Sequence, residues 1–321
     1  MPKVTVILAC YNEEQYIAEA LDSILGQTYQ DFEVIVINDG STDKTEEIIE
    51  HYANQYPDKI LYVSQQNQGQ AASINHGFSL ASGLYAAFID GDDTWYPEKL
   101  EKQVKVLDDD TEKRIGLVYT YRDQPNLDTT RKRSNTVTVG VRGQVFKRLF
   151  MGAFTLNSSI MVPRHIFDKV AGYNPIYPFC PDYEFMLQIA AAGYEFDYIP
   201  EILVSRRIHP GNTSRQQLVS NRNNRQMLLD IADRYDDLIT QEGVDVDYRM
   251  ALLDLQLAWH YFVTGNLKQV RQTLTPVLRH YPALVLRSKR YTAYYLLSFF
   301  PASWVRRLEG VSSLAPIFKG K

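Results

Sequence analysis

The sequence predicts an α/β fold: an open, mainly parallel sheet flanked by helices, with an all-helical C-terminal extension. Three features predict it. Short apolar runs alternate with helix-like stretches over residues 1–95, as in strands covered on both faces and joined by helices. Polar and acidic clusters follow those runs directly, where an open parallel sheet presents its ligand-binding loops. After Ser214 only helical spacing remains.

Each element has its own signal. Val4 to Ala9 is a continuous apolar run and reads as the first strand. Asn12 is a candidate cap for a helix carrying Ile17, Ala20, Leu21, Ile24 and Leu25, with Gly26 near its end. Phe32 to Ile37 is the second strand, and Asn38-Asp39-Gly40-Ser41 a tight turn. Thr42 or Asp43 caps a helix through about Ala53, by ordinary turn chemistry. Ile60 to Val63, the helix Gln70 to Leu80 and the strand Leu84 to Ile89 complete the first half. A helix from Tyr96 to Leu107 and a strand from Ile115 to Tyr121 open the second half. Arg122 to Thr138, with Arg131-Lys132-Arg133, reads as a solvated basic loop. Residues 144–210 return to mixed character. The expected division is 1–214 and 215–321, the first part itself split into 1–95 and 96–214.

Bulk properties narrow the function classes. The 321 residues are 45% hydrophobic, enough for a large core. A net charge of −4 and a pI near 5.9 give no global basic face, so no nucleic-acid partner is expected. Cys10 and Cys180 are too few for a disulfide framework and suit a reducing, cytoplasmic setting, including the inner face of the cell membrane. The apolar N-terminal run is short and leads into an acidic segment, unlike a signal peptide. No stretch reaches the roughly 18 uninterrupted apolar residues that suggest a membrane span.

The chemistry-bearing clusters lie after the strands. Asp90, Asp92 and Asp93 put three carboxylates within four residues, and their mutual repulsion favours a cation or open solvent. Hard oxygen ligands of this kind suit Mg2+ or Mn2+. Gly91 allows the backbone to turn and to approach a ligand closely. Alone, the turn reads equally well as a solvated acidic bend. Cys10-Tyr11-Asn12-Glu13-Glu14 and Asn38-Asp39-Gly40-Ser41 place further carboxylates and amides at strand ends. Asp39, ending an apolar strand, is a candidate acceptor for ribose hydroxyls or a base N–H. His76, alone on its helix, reads as a packing or surface histidine.

In this order and at these intervals, Val4–Glu14, Val36–Asp43 and Phe88–Asp93 resemble the inverting glycosyltransferases of the GT-A fold. The likeness is to the large second family, which includes many bacterial polysaccharide and lipid-linked sugar transferases, and covers roughly residues 3–215. It implies a sugar moved from a nucleotide-diphosphate donor, UDP-sugar by default, to a saccharide or lipid-linked hydroxyl. It implies that Asp90 and Asp92, with Asp93 beside them, hold Mn2+ or Mg2+ and the sugar diphosphate around Gly91. It places Asp39, Glu13 and the backbone near Ala9 and Tyr11 against the nucleotide. Asp182 matches the family's general base, with Glu184 as the alternative carboxylate. Pro181 replaces the family's usual Glu there, and Gln188 stands where Arg is common. Arg207 and His209 match an Arg-x-His segment, with Arg207 toward the diphosphate and His209 toward the metal or a phosphate. Asn157 to Val162 and Val170 to Asn174 match the acceptor-side region.

Rival readings are weaker at named residues. Asp90-Gly91-Asp92-Asp93-Thr94 also fits the Asp-x-Asp-x-Thr pattern of haloacid-dehalogenase-like phosphotransferases, whose nucleophile follows the first strand rather than the fourth. Sugar nucleotidyltransferases carry a Gly-rich basic loop after strand one, where this chain has Tyr11-Asn12-Glu13-Glu14. A non-catalytic nucleotide-binding relative is the third rival. In the tail, Leu252, Leu253, Leu255, Leu257, Trp259 and Phe262 suggest packed helices. Tyr291 to Phe300, flanked by Arg287-Ser288-Lys289-Arg290 and by Trp304, Arg306 and Arg307, suits a membrane interface. The same residues suit an aromatic core or a homodimer surface.

Overall fold

The computed structural model describes residues 1–123, 140–209, 212 and 216–308. The basic segment around Arg131-Lys132-Arg133 and the expected boundary at Ser214 lie outside the described residues. The chain forms two compact units, Met1–Asn212 and Thr213–Lys321.

The first unit opens with β1 (Val4–Cys10), buried at all of its positions, as its unbroken apolar sequence requires. α1 (Ile17–Leu25) follows and buries Ile17, Ala20, Leu21 and Ile24, the stripe expected from helical spacing. Then come β2 (Phe32–Asn38), α2 (Thr45–Gln55), β3 (Ile60–Ser64), α3 (Gln70–Leu80) and β4 (Tyr85–Asp90). β1 lies between β2 and β4, parallel to both, with Ala9 beside Ile37 on one side and Asp90 on the other. β3 extends the parallel region beyond β2. α3 packs closely over this sheet: a Cβ at Gly77 would stand 2.8 Å from Ile7 Cγ2.

The second half of this unit holds β5 (Thr94–Trp95), α4 (Lys99–Asp109), β6 (Ile115–Asp123), α5 (Phe146–Phe150), a 3-10 turn at Asn157–Ser159, β7 (Ile160–Pro163), α6 (Arg164–Lys169), α7 (Pro181–Ala191) and β8 (Glu195–Ser205). The sheet runs β3-β2-β1-β4-β7-β6-β8-β5. β7 is antiparallel to both β4 and β6, and β5 to β8, while β6 and β8 are parallel. Parallel pairing therefore dominates the first half, and the second is mixed. The chain leaves β1 toward β2 and β3, then returns to the other side of β1 as β4. That reversal is a topological switch point, and it fixes where a ligand cleft opens.

One expected cap differs. α1 begins at Ile17 after Tyr16, which makes no side-chain cap bond. Asn12 instead adopts a φ of 56° and accepts from the Thr42 N–H at 2.7 Å. Its amide oxygen ties the loop after β1 to the loop after β2 rather than starting a helix. Asp43 does serve α2, its Oδ1 accepting from Thr45 N at 3.0 Å.

The second unit comprises α8 (Gln217–Arg234), α9 (Asp236–Gln241), α10 (Val246–Val263), α11 (Leu267–His280), α12 (Pro282–Leu286), α13 (Lys289–Leu297) and α14 (Ala302–Leu308). Asp245, Asn266 and Ser288 cap α10, α11 and α13 through side-chain oxygens, as their residue types favour. Leu255, Ala258, Phe262, Leu274, Val277 and Tyr294 form its core, with Phe262 stacked on Tyr294 at 4.2 Å. Both cysteines are buried, and neither forms a disulfide among the described residues. No described helix is long and apolar enough to cross a membrane.

Candidate active site

β4 delivers Asp90 to the carboxyl end of the sheet, and a turn closed by Asp93 N to Asp90 O at 3.0 Å follows. Gly91 in this turn does not use the left-handed region open to glycine. It is needed for space instead: a Cβ there would lie 1.8 Å from Glu13 Oε2. One ligand oxygen from each of Asp90, Asp92 and Asp93 falls within 4.8 Å of the others.

Each carboxylate is braced by residues distant in sequence, drawn from the start of α3, the 3-10 turn and the segment after β8. Asp90 Oδ1 accepts from Gln70 Nε2 and Asn157 Nδ2, both at 2.8 Å. Asp92 Oδ2 accepts from Asn212 Nδ2 at 2.7 Å and lies 2.9 Å from His209 Nε2. Asp93 uses both oxygens: Oδ2 accepts from Ser158 Oγ at 2.6 Å, and Oδ1 from Arg207 N at 3.1 Å. Burial and then the neighbouring carboxylates push Asp90 well above the ordinary aspartate range. The same causes, burial first and then Asp92, push Asp93 up to about 7.

Glu13 adds a fourth carboxyl. Its Oε2 is buried and has no hydrogen-bond partner among the described residues. Burial first, then Asp92, Asp90 and Asp93, raises its pKa well above the usual glutamate value. Such an unsatisfied buried acceptor costs about 1–3 kcal/mol. Three clustered carboxyls with a fourth buried beside them fit a hard divalent cation such as Mg2+ or Mn2+, which takes oxygen donors. Among the described residues, no hydrogen bond reaches Asp90 Oδ2 or Asp92 Oδ1, so these two atoms are placed to serve as ligands.

The neighbouring loops are tied together. Asn12 N donates to Ser41 Oγ at 2.9 Å, Glu13 N to Thr45 Oγ1 at 2.7 Å, and Lys44 N to Glu14 Oε2 at 2.9 Å. Tyr11 at the rim is 48% exposed. Asp39 is buried, and its oxygens accept from Gln65 Nε2 and from the Gln68 and Gly69 N–H groups at 2.7–2.9 Å. It therefore organises the loop leading into α3, a role that its position after a strand did not specify. His76 closes the same network through Gln65 Oε1 at 2.7 Å.

Asp182 sits in the first turn of α7, after Pro181 at the start of the helix. The cap residue is Cys180. Burial raises the Asp182 pKa, while the backbone N–H groups of Tyr183, Asp182 and Asn157 and the charge of Arg206 counter it. Its own charge in turn raises Asp90. Glu184 is fully buried, and its Oε2 accepts from Gln188 Nε2 at 2.6 Å. Gln188, where the family commonly has Arg, also donates to the Gly172 carbonyl.

Arg207 and His209 both reach the acidic turn. The Arg207 guanidinium pairs with Glu19, lies 4.9 Å over the Tyr16 ring and donates through Nε to the Asp92 carbonyl at 3.3 Å. His209 packs against the same Tyr16 ring at 4.6 Å. Asn157 and Ser158 are partners that sequence reasoning left without individual roles. Ser158 Oγ also accepts from Asp90 N at 3.1 Å, and Tyr173 Oη donates to Asn157 Oδ1 at 2.7 Å. Their signal in the sequence is the match of Asn157 to Val162 to the acceptor-side region, which assigns no individual contacts.

This geometry defines the class. A sheet with a switch point at β1/β4, an Asp-Gly-Asp-Asp turn at β4 and a separate acidic helix start describe a nucleotide-sugar-transferase fold. The family profile of glycosyl transferase family 2 matches residues 5–169, just over half of the chain. The chain belongs to that family. An uncharacterized glycosyltransferase of Nostoc sp. is 32% identical over 178 residues, which is 54% of this chain and 55% of the relative. The chain thus spans about half the length of that relative. Among solved structures, mannosyltransferase PcManGT from Pyrobaculum calidifontis, in complex with GDP-Man and Mn2+, superposes with a TM-score of 0.60 at 19% identity, covering 97% of this chain and 88% of that one. S. aureus TarS 1-349, in complex with UDP-GlcNAc, gives 0.57 at 18% identity, covering 95% and 92%. These two likenesses concern the fold.

Proposed function

We propose that this chain is a metal-assisted, inverting glycosyltransferase. It moves a sugar from a nucleotide-diphosphate donor to a hydroxyl of a saccharide or lipid-linked acceptor, with residues 1–214 as the catalytic domain. The observation that carries the reading is the braced three-aspartate turn at the switch point, with Asp182 held near it by a different element.

Asp90 and Asp92 are the residues to hold Mn2+ or Mg2+, with Asp93 and His209 beside them. Bound there, the cation would offset the charge growing on the leaving diphosphate. Gly91 gives the donor room, and the Ala9–Tyr11 backbone, Glu13, Asp39 with its loop, and Arg207 border the nucleotide. Asp182 accepts the proton of the acceptor hydroxyl, and its raised pKa suits a general base. Attack from the face opposite the diphosphate inverts the anomeric carbon. Glu184 is a poorer base, being fully buried and bonded to Gln188. Phosphoryl transfer through Asp90 is disfavoured because two amide N–H groups already occupy its Oδ1.

The two solved relatives hold UDP-GlcNAc in one case and GDP-Man in the other, so UDP is the default and GDP is tested beside it. A thermal-shift screen of nucleoside diphosphates with and without Mn2+ identifies the base, because a ligand that binds only the folded state stabilises it. Asp182→Asn is expected to abolish transfer while retaining Mn2+-dependent nucleotide binding. Near-normal turnover in that variant excludes Asp182 as the base. Nucleotide binding with no sugar transfer or hydrolysis in the unsubstituted protein favours a non-catalytic relative.

A further inference from the structure

We propose that the C-terminal helices dock on the surface of an anionic lipid bilayer without crossing it. The first observation is segregation of charge. From Leu255 to Leu308 the chain contains eight Lys or Arg and no Asp or Glu. The 38 carboxylates of the 321-residue chain would place about six in a stretch of that length. A protein with net charge −4 therefore carries a strongly cationic end.

The second observation is what that end exposes. Leu286 is 62% exposed, Leu296 59%, Phe299 60%, Phe300 48% and Trp304 44%. Their neighbours Val285, Tyr294 and Val305 fill the core, so these side chains are a distinct outward-facing set. Cations and rings are interleaved. Arg271 lies 5.2 Å over the Phe299 ring and donates to the Ser298 carbonyl. Lys289 and Leu296, seven residues apart on α13, share a helix face. Phe300 stacks on Trp304 at 4.7 Å, and Tyr295 meets Phe299 edge-on at 5.3 Å.

Exposed rings and leucines beside lysine and arginine suit the headgroup region of an anionic bilayer. The rings enter the interface and the cations meet lipid phosphates. A second copy of the chain is a poorer occupant, because a two-fold contact would set this cationic surface against itself. A nucleic acid would leave Leu286 and Leu296 without an apolar partner.

The test uses the full chain and sucrose-loaded vesicles of phosphatidylcholine alone or with one-quarter phosphatidylglycerol. Co-sedimentation is expected only with the anionic vesicles and is lost in 0.5 M NaCl. Each surface cation is worth about fivefold in binding, from ~1 kcal/mol per basic residue, so Arg287→Gln with Lys289→Gln should weaken it about thirtyfold. Phe299→Ser with Phe300→Ser should also release the protein. Unchanged thermal unfolding in each variant excludes misfolding, and Arg287→Gln with Lys289→Gln alone, both exposed, suffices if the aromatic variant unfolds. No binding to anionic vesicles, or equal binding to both vesicle types, overturns the proposal. So does a concentration-dependent dimer in sedimentation velocity that these substitutions abolish while vesicle binding stays unchanged. No donor or acceptor is present, so failure here leaves the sugar-transfer reading standing.

Discussion

Ser158→Ala removes one hydroxyl from a position where it makes two bonds. Its Oγ donates to Asp93 Oδ2 at 2.6 Å and accepts from Asp90 N at 3.1 Å, so it spans both ends of the acidic turn. A hydrogen bond to a charged partner contributes about 1.5–3 kcal/mol, and a buried N–H left unsatisfied costs about 1–3 kcal/mol. Burial and the neighbouring Asp92 push the Asp93 pKa up to about 7, which reduces its charge near neutral pH and puts the first contribution toward its low end. A loss of about 2.5–4.5 kcal/mol of stability follows. With Mn2+, a larger consequence is expected, because partners that orient metal ligands typically contribute 10–100-fold in affinity. The assay is a calorimetric Mn2+ titration with saturating nucleoside diphosphate, run beside thermal unfolding in EDTA. The expected result is Mn2+ affinity lowered about tenfold or more, with the fold retained. Unchanged Mn2+ affinity together with lower stability would refute the link between the 3-10 turn and the metal, leaving Ser158 a packing residue.

Further expectations come from the same carboxyls and from the core. Glu13→Gln should raise the melting temperature in EDTA, because it removes a buried carboxyl facing three others, and should weaken Mn2+ binding; a lower melting temperature in EDTA contradicts the repulsion argument. Asp92→Asn should cost more Mn2+ affinity than Asp93→Asn, since both Asp93 oxygens are already bonded; the reverse order in calorimetry would make Asp93 the principal ligand. Lys99 is fully buried, with Nζ 2.7 Å from Gln103 Oε1 and 3.8 Å from the Trp95 ring centroid, and burial holds its pKa well below 10.5. Between that depressed value and 10.5 the unfolded chain binds the extra proton, so stability rises with pH across this window and its contribution is lost as pH falls. Lys99→Met should flatten that slope in denaturant unfolding at pH 6, 8 and 10, and an unchanged slope would place the effect elsewhere.

Much of the fold was legible because its signals were local. Unbroken apolar runs gave β1 and β2 to within a residue, and the expected Gln70–Leu80 helix is α3. The antiparallel insertion of β7 was not legible, since its four residues carry no periodicity that distinguishes direction. The clustering of the three aspartates follows from adjacency in sequence. Their supports do not. Asn157, Ser158, Arg207 and Asn212 come from 65 to 120 residues away and meet the turn only through the fold. Asn12 and Asp39 were read as polar residues at strand ends, and that placement holds. Nothing local could tell that Asn12 would bond across to Thr42, or that Asp39 would fold the Gln65–Gly69 loop.

The hydrogen bonds around the turn carry one more step of reasoning. A cluster built only for stability would satisfy every buried acceptor and separate its charges. Here the bracing is asymmetric. Both Asp93 oxygens are bonded, whereas among the described residues the side-chain hydrogen bonds of Asp90 and Asp92 converge on one oxygen each. Glu13, bonded through its backbone to α2, keeps a carboxyl oxygen with no partner among the described residues, beneath a glycine that leaves no room for a side chain. The neighbouring residues thus hold the carboxylates in place without neutralising them. Glu13, Asp90 and Asp93, desolvated and fixed beside one another and Asp92, have raised pKa values, which lowers the stability of the fold at neutral pH. That arrangement suits a divalent cation, and in the proposed function metal and diphosphate binding accordingly belongs to the turn and proton transfer to α7.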